Sequence, residues 1–241
     1  MSLSLPLKTT IHRPTGNSNF LPYPYSVLTT GTDAGRLIFS ATSAWNITNG
    51  TLACWFKSPV AGGLVVINEF GSSNNDRCGF YLSGNAMLVT LVRGGSVILN
   101  SSVGFTNDGN WHHVVMTFDA TSQQTYIDGA LKATFASDCH LTVSSPQLVY
   151  GGAFSTTLPS ICNVTGVVLT NTKSTQSQVS ALYYNGAMPV STLARYDFSN
   201  GQGAVTLTAG QGNTGALGTG SWSTVVPTKG VRALPQYSLI F

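Results

Sequence analysis

In a chain this poor in ionisable groups, catalytic chemistry would have to come from very few residues. Glu69 is the one glutamate, and the aspartates are Asp33, Asp76, Asp108, Asp119, Asp128, Asp138 and Asp197. Glycoside hydrolysis needs two carboxyl groups about 5–10 Å apart. No strand-like run carries two acids at i, i+2 or i, i+4, and Asp108 and Asp128 each precede a glycine, where a turn explains them. His112 and His113 are adjacent. On a strand they point to opposite faces and cannot chelate one ion together, so one is expected to pack inward and the other to lie on the surface. His12 and His140 have no partner at ligand spacing. Asn74, Asn75 and Asp76 in GSSNNDRCG form the best local cluster of hard oxygen ligands, with Asp76 a weak calcium candidate in an otherwise polar turn. Cys54, Cys78, Cys139 and Cys162 show no Cys-x-x-Cys spacing and read as buried free thiols. Neither a Gly-x-Ser-x-Gly elbow nor a P-loop pattern occurs. The chain reads as a non-enzyme without a cofactor, calcium being the single one left open.

Sugar binding asks for an exposed aromatic platform flanked by amides and hydroxyls. Trp45 beside Asn46, and Trp222 in GSWST, lie near turns and are the platform candidates. Trp55 and Trp111 sit inside strand-like runs and are expected in the core.

The elements that position these residues are β-strands. Of 241 residues, 42% are apolar and only 8% charged, against a usual charged share of about 25%. That composition excludes an intrinsically disordered chain and a coiled coil. From Arg36 to about Asn171, short runs such as TLACWFKS, GLVVINEF, AMLVTLVRG and HHVVMTFDA are broken by Gly, Asn and Asp. Many short strands at this spacing mean a sandwich or barrel. Asp128-Gly129, between QQTYI and ALKATF, predicts a type I′ hairpin. One short helix is expected near 175–185: Thr175 and Gln178 form a capping-box pattern, Val179, Leu182 and Tyr183 fall on one face, and Gly186 closes it. Residues 1–35, with Pro6, Pro14, Pro22 and Pro24, read as an extended arm with a strand around Tyr25–Thr29; its Phe20, Tyr23 and Tyr25 are expected to dock on a neighbour. Residues 36–188 read as the main domain and 189–241 as a Gly-rich β and loop extension.

The segment DGNWHHVVMTFDATSQQTYIDGALKAT, from Asp108 to Thr134, resembles the hallmark of laminin G-like, concanavalin A-like domains: an Asp-Gly-x-Trp-His-His-Val strand followed by a Tyr-x-Asp-Gly hairpin. GTLACWFKSP upstream and CNVTGVVLTNTKSTQSQVSALYYNG downstream are similar to flanking parts of the same family. The resemblance implies an all-β jelly-roll sandwich of two antiparallel sheets. It also brings in glycoside hydrolases, whose Glu-x-Asp-x-x-Glu pattern is absent here, and calcium-binding members, whose ligands do not map onto this chain. Leu193 to Pro227 is similar to segments that follow such domains in virion proteins of bacteriophages and other viruses.

The leading expectation is therefore a non-enzymatic virion structural protein, of capsid-associated, decoration or spike type. It would meet other virion or capsid proteins, or copies of itself as a homo-oligomer, through its arm and its C-terminal segment. On that expectation a chain lacking residues 1–35 folds but does not assemble. The alternative is a glycan-binding lectin module for host or surface attachment, and a glucanase-like hydrolase is a distant third. The expected location is the virion, alternatively extracellular. The eleven basic residues are scattered singly, which argues against nucleic acid. No run approaches 18 apolar residues, which argues against insertion into a membrane by a helix. The first residues do not read as a secretory signal.

Overall fold

The computed structural model describes residue 23, residues 25–32, 35–40, 45, 47–59, 64–84, 86–136, 146–154, 160–187, 191–202, 209–210, 216–217, 220–224 and 226–227. Among these, sixteen strands and one helix follow in chain order. The strands are β1 (Ser26–Leu28), β2 (Leu37–Ser40), β3 (Gly50–Lys57), β4 (Leu64–Ser73), β5 (Asp76–Ser83), β6 (Ala86–Arg93), β7 (Ser96–Thr106), β8 (Trp111–Phe118), β9 (Gln123–Ile127), β10 (Ala130–Phe135), β11 (Gln147–Tyr150) and β12 (Asn163–Thr170). The helix α1 (Gln176–Asn185) comes next, and β13 (Thr192–Tyr196), β14 (Ala209–Gly210), β15 (Ala216–Leu217) and β16 (Ser221–Ser223) follow it.

The strands form the two antiparallel sheets expected. One has nine strands, running β10-β9-β8-β3-β12-β1-β16 with β13 and β14 joined at β12. The other has seven, running β15-β2-β11-β4-β5-β6-β7. Their facing sides enclose the main core, in which Phe39, Trp45, Phe56, Phe70, Phe80, Val114, Met116, Phe118 and Tyr196 are all buried. Every residue of β3 but its last is buried, because both faces are covered: the facing sheet on one side, α1 on the other. β7 instead alternates, as an edge strand with one face in water does.

The helix has ten residues, a length that is marginal in isolation. Its capping box, Thr175 with Gln178, and the left-handed Gly186 satisfy its ends as read from sequence. Val179 and Leu182 then pack on Ala53, Val115, Tyr126 and Val168. The Asp128-Gly129 hairpin is also as expected, with φ of 53° and 76°.

Both flanks join the sandwich: the strand expected around Tyr25–Thr29 is β1, and the C-terminal segment supplies short strands. β1 lies inside the nine-stranded sheet, between β12 and β16, with Val27 fully buried. Tyr23 is buried over Gly166, whose φ is +59°; a Cβ there would stand 2.7 Å from the Tyr23 ring. Only glycine offers that seat without strain. Thr29 Oγ1 donates to Ser160 O at 2.6 Å and accepts from Cys162 N at 3.0 Å. The described part of the expected arm is thus clamped on its own chain. A chain without residues 1–35 would lose a strand from within a sheet, which argues against the expectation that it folds. On the C-terminal side β13 pairs with β12, β16 with β1 and β15 with β2, so those strands extend both sheets of the same sandwich.

Candidate functional site

The predicted site residues do not converge. Trp45 is fully buried in the core between the sheets, so it has no face to offer a sugar, and that expectation is corrected. Its neighbour Asn46 lies outside the described residues. Trp222 is half-buried on β16; the rings of Tyr25 and Phe198 meet it in T-shaped contacts at 6.3 and 6.1 Å. Phe20 lies outside the described residues, while Tyr23 and Tyr25 pack on this chain's own Gly166 and Gly201 rather than projecting toward a neighbour.

Asn74 and Asn75 form the exposed β4–β5 turn, with Asp76 opening β5. One oxygen of each is engaged: the Asn74 carbonyl accepts from the Arg77 guanidinium, Asn75 O accepts from Gly95 N at 2.9 Å, and Asp76 Oδ1 accepts from Gly94 N at 2.9 Å. The cluster pins the β4–β5 turn to the β6–β7 turn.

Four other acids among the described residues are also committed. Glu69, buried on β4, accepts hydrogen bonds from the Tyr81 hydroxyl and Phe154 N and pairs with Arg77 Nε at 3.0 Å. Burial pushes its pKa up, against the pull of those partners. Asp119 accepts from Thr121 N and Ser122 N and pairs with Lys173 at 2.8 Å, tying the β8–β9 turn to the segment before α1. Asp108 and Asp128 close on His112: Nε2 lies 2.9 Å from Asp108 Oδ1 and Nδ1 lies 2.8 Å from Asp128 Oδ2. The two histidines do face opposite ways, but neither is on the surface. His112 is closed in by these carboxylates and the Phe56 and Phe105 rings, and His113 is fully buried beneath Trp55 and Tyr183. The expectation of one surface histidine fails because the outer face of β8 is itself covered.

That outer face carries what the sequence reading missed. Trp55 on β3 is paired directly with His113 on β8, and the next pair on the same face is Lys57 with Trp111. Trp55 and Trp111 therefore leave the core between the sheets and form a separate cluster with Tyr23 and Tyr183. Tyr183, from α1, stacks on Trp55 with centroids 5.3 Å apart and planes 20° from parallel; the His113 ring lies 5.1 Å from Trp55. Trp55, Tyr23 and His113 form a buried floor, and Trp111 and Tyr183 are half-exposed above it.

Five polar atoms of this cluster are buried and have no hydrogen-bond partner among the described residues: Trp55 Nε1, Trp111 Nε1, the Tyr23 hydroxyl and both ring nitrogens of His113. Buried polar groups are normally satisfied, so these five atoms hold hydrogen-bonding capacity that the described residues do not use. Burial drives the His113 pKa down to about 3, so its imidazole is neutral. Burial also raises the Tyr23 hydroxyl to about 12, with Arg195 and Asp197 acting in opposite senses on it. The site thus offers aromatic faces and hydrogen-bonding atoms without a partner among the described residues, with Lys57 the cation that shares its face. One signal for it was legible: Trp55 and Trp111 share a period-2 face with Lys57 and His113, not with Cys54, Phe56 and Val114.

Comparison with known proteins places residues 30–180 in the concanavalin A-like lectin/glucanases superfamily. No curated protein gives a significant match. Among solved structures, a carbohydrate-binding candidate from Bacteroides ovatus superposes with a TM-score of 0.66 at 12% identity, covering 87% of this chain and 62% of that one. The heptameric SAP-like pentraxin of Limulus polyphemus gives 0.54 at 17% identity, covering 67% and 82%. The type C botulinum neurotoxin structure, whose cell entry depends on two ganglioside molecules, gives 0.52 at 15%, covering 66% of this chain but only 41% of the toxin chain. At these identities the likeness is one of fold.

Proposed function

The chain belongs to the concanavalin A-like lectin/glucanases superfamily, and on that footing we propose that it is a non-enzymatic binding module for a neutral glycan. The ligand lies against Trp111 and Tyr183 on the outer face of the nine-stranded sheet. The observation that carries this reading is the set of unpaired donors in an aromatic cluster. A sugar hydroxyl both accepts and donates, so it suits such atoms, and Trp111, half-exposed, carries the indole N–H nearest the ligand, while those of Trp55 and the His113 imidazole lie buried beneath and are met only as the aromatic cover shifts. Aromatic faces take the apolar face of a pyranose. A charged ligand would gain nothing from a neutral His113, and Arg195 and Asp197 act on Tyr23 in opposite senses, while Lys57 beside Trp111 can donate to a sugar hydroxyl. The absence of catalysis is supported by the roles of the acids, each of those described above being engaged in turn or strand contacts. Binding without calcium is supported by the turn role of Asn74, Asn75 and Asp76, in which the backbone carbonyls of Asn74 and Asn75 and Asp76 Oδ1 accept hydrogen bonds from this chain.

A glycan array followed by calorimetry tests the reading. Trp111→Ala is expected to weaken binding at least about tenfold, the scale of one stacked, desolvated aromatic contact, with unchanged circular dichroism and unchanged affinity in EDTA. Full affinity in Trp111→Ala, or no glycan bound by the native chain, refutes it.

A second reading is supported by the edge strand β7. Its eleven residues include no charged side chain, and Val97 is 64% exposed. Natural edges of that kind pair with other chains unless they are blocked. Assembly of copies at a virion surface, with other virion proteins as neighbours, is the form this takes given the resemblance of Leu193 to Pro227. Light scattering on the full chain tests it: a defined oligomer supports it, and a monomer at high concentration overturns it.

A further inference from the structure

We infer that His112, held between Asp108 and Asp128, is a pH-responsive latch that fastens the β7–β8 loop to the β9–β10 hairpin in its protonated form. The geometry is specific. Each ring nitrogen faces a carboxylate oxygen, Nδ1 that of Asp128 at 2.8 Å and Nε2 that of Asp108 at 2.9 Å. A neutral imidazole carries one N–H and can donate to only one of them; its other nitrogen would then point a lone pair at a carboxylate. Only the imidazolium satisfies both.

The surroundings hold no competing charge among the described residues. β3 and β7 present the Phe56 and Phe105 rings at 6.0 and 4.6 Å. His113, on the opposite face of the same strand, stays neutral. Burial by itself opposes the charge on His112, but the hydrogen bonds and charges of the two aspartates outweigh it and raise its pKa above the ordinary value.

The two carboxylates are not equivalent, which decides what moves. Asp128 is also bound by His113 N, at 2.9 Å to Oδ1, and its own N–H donates to His113 O. The adjoining Gly129 is held from the other side, its carbonyl accepting from Gln176 at 2.7 Å. Asp108 sits in a loop with its side chain 56% exposed. When the proton leaves, Nδ1–H stays on Asp128, and Asp108 turns to water. The loop around Asp108–Asn110 is the released part. The sign follows from the raised pKa: the latch is closed below the ordinary histidine pKa near 6.5 and opens as pH rises through the higher folded value.

Nitrogen-15 NMR of the full-length protein between pH 5 and 9 tests this without any ligand. The expected result has three parts: His112 titrates above 6.5, loses the Nε2 proton while keeping that on Nδ1, and shows falling amide protection at Asn110 over the same range. Asp108→Asn keeps an oxygen for the turn to Asn110 N, so the fold is retained; it is expected to lower the His112 pKa by about one unit or more. Asp128→Asn, which suits the left-handed turn position, is expected to reverse the tautomer preference. A His112 pKa at or below 6.5, or one unmoved by Asp108→Asn, overturns the latch. Glycan affinity does not enter this test, so its outcome is independent of the proposed function.

Discussion

A chain beginning at Gly35 keeps α1 but lacks Tyr23, which covers part of the outer face of the nine-stranded sheet, and β1, which lies within it. Tyr23 leaves its seat on Gly166 and uncovers Trp55. Removing a buried aromatic side chain costs about 3–5 kcal/mol. Val27, fully buried between β12 and β16, contributes about 1.5–3 kcal/mol by burial. The hydrogen bonds of Thr29 Oγ1 contribute about 1 kcal/mol each, and their loss takes the partner of the buried Cys162 N. These losses are of the same order as the whole stability of an ordinary domain, about 5–15 kcal/mol. Urea unfolding, followed by tryptophan fluorescence and far-ultraviolet circular dichroism, is therefore expected to show a cooperative transition for the full chain and none for the shortened one. The point variant Tyr23→Ala should keep the transition with its midpoint shifted down by the equivalent of about 3 kcal/mol. A chain from Gly35 that unfolds at the native midpoint with the native slope would refute the reasoning, because the slope reports the surface buried on folding.

Two further predictions concern the same sheet. His113 is neutral in the folded state with a pKa of about 3, against an unfolded value near 6.5. Its stabilising share is thus fully present above pH 6.5 and is lost toward pH 3, at about 1.4 kcal/mol per unit; His113→Phe should unfold with a shallower acid dependence, and parallel pH profiles for the two proteins would contradict the assignment. Thr175→Ala breaks the capping box and should lower stability by about 1 kcal/mol in thermal melts, with Thr175→Asn restoring most of it.

What could be read from the sequence follows from how local each signal is. The Asp128-Gly129 turn and the Thr175 to Gly186 helix are decided within a few residues, and both stand where the pattern puts them. The strands β2 to β12 were legible because alternation and glycine breaks are local too. What was not legible is which sheet face is covered, and by what. β3 buries side chains on both faces, so Phe56 and Trp55 look alike in sequence, yet one belongs to the core between the sheets and the other to the aromatic cluster beneath Tyr23. That cover comes from residues more than thirty positions before Trp55, or over a hundred after it in α1, and no local pattern announces it.

The latch lies between these extremes. Once the Asp119–Ser122 turn is taken as the connection of β8 to β9, with Phe118 opposite Gln123, counting back along both strands sets Val114 against Ile127 and leaves Asp128 beside His113. Asp108, four residues before His112, then arrives from the other side. Each acid has a sufficient local explanation as an Asp-Gly turn, and that explanation conceals the shared imidazole. A turn needs the aspartate at its corner but leaves the second carboxylate oxygen uncommitted. At Asp128 one oxygen takes the His113 amide and the other takes His112, so a single residue joins the floor of the aromatic cluster to the latch on the opposite face of the sheet.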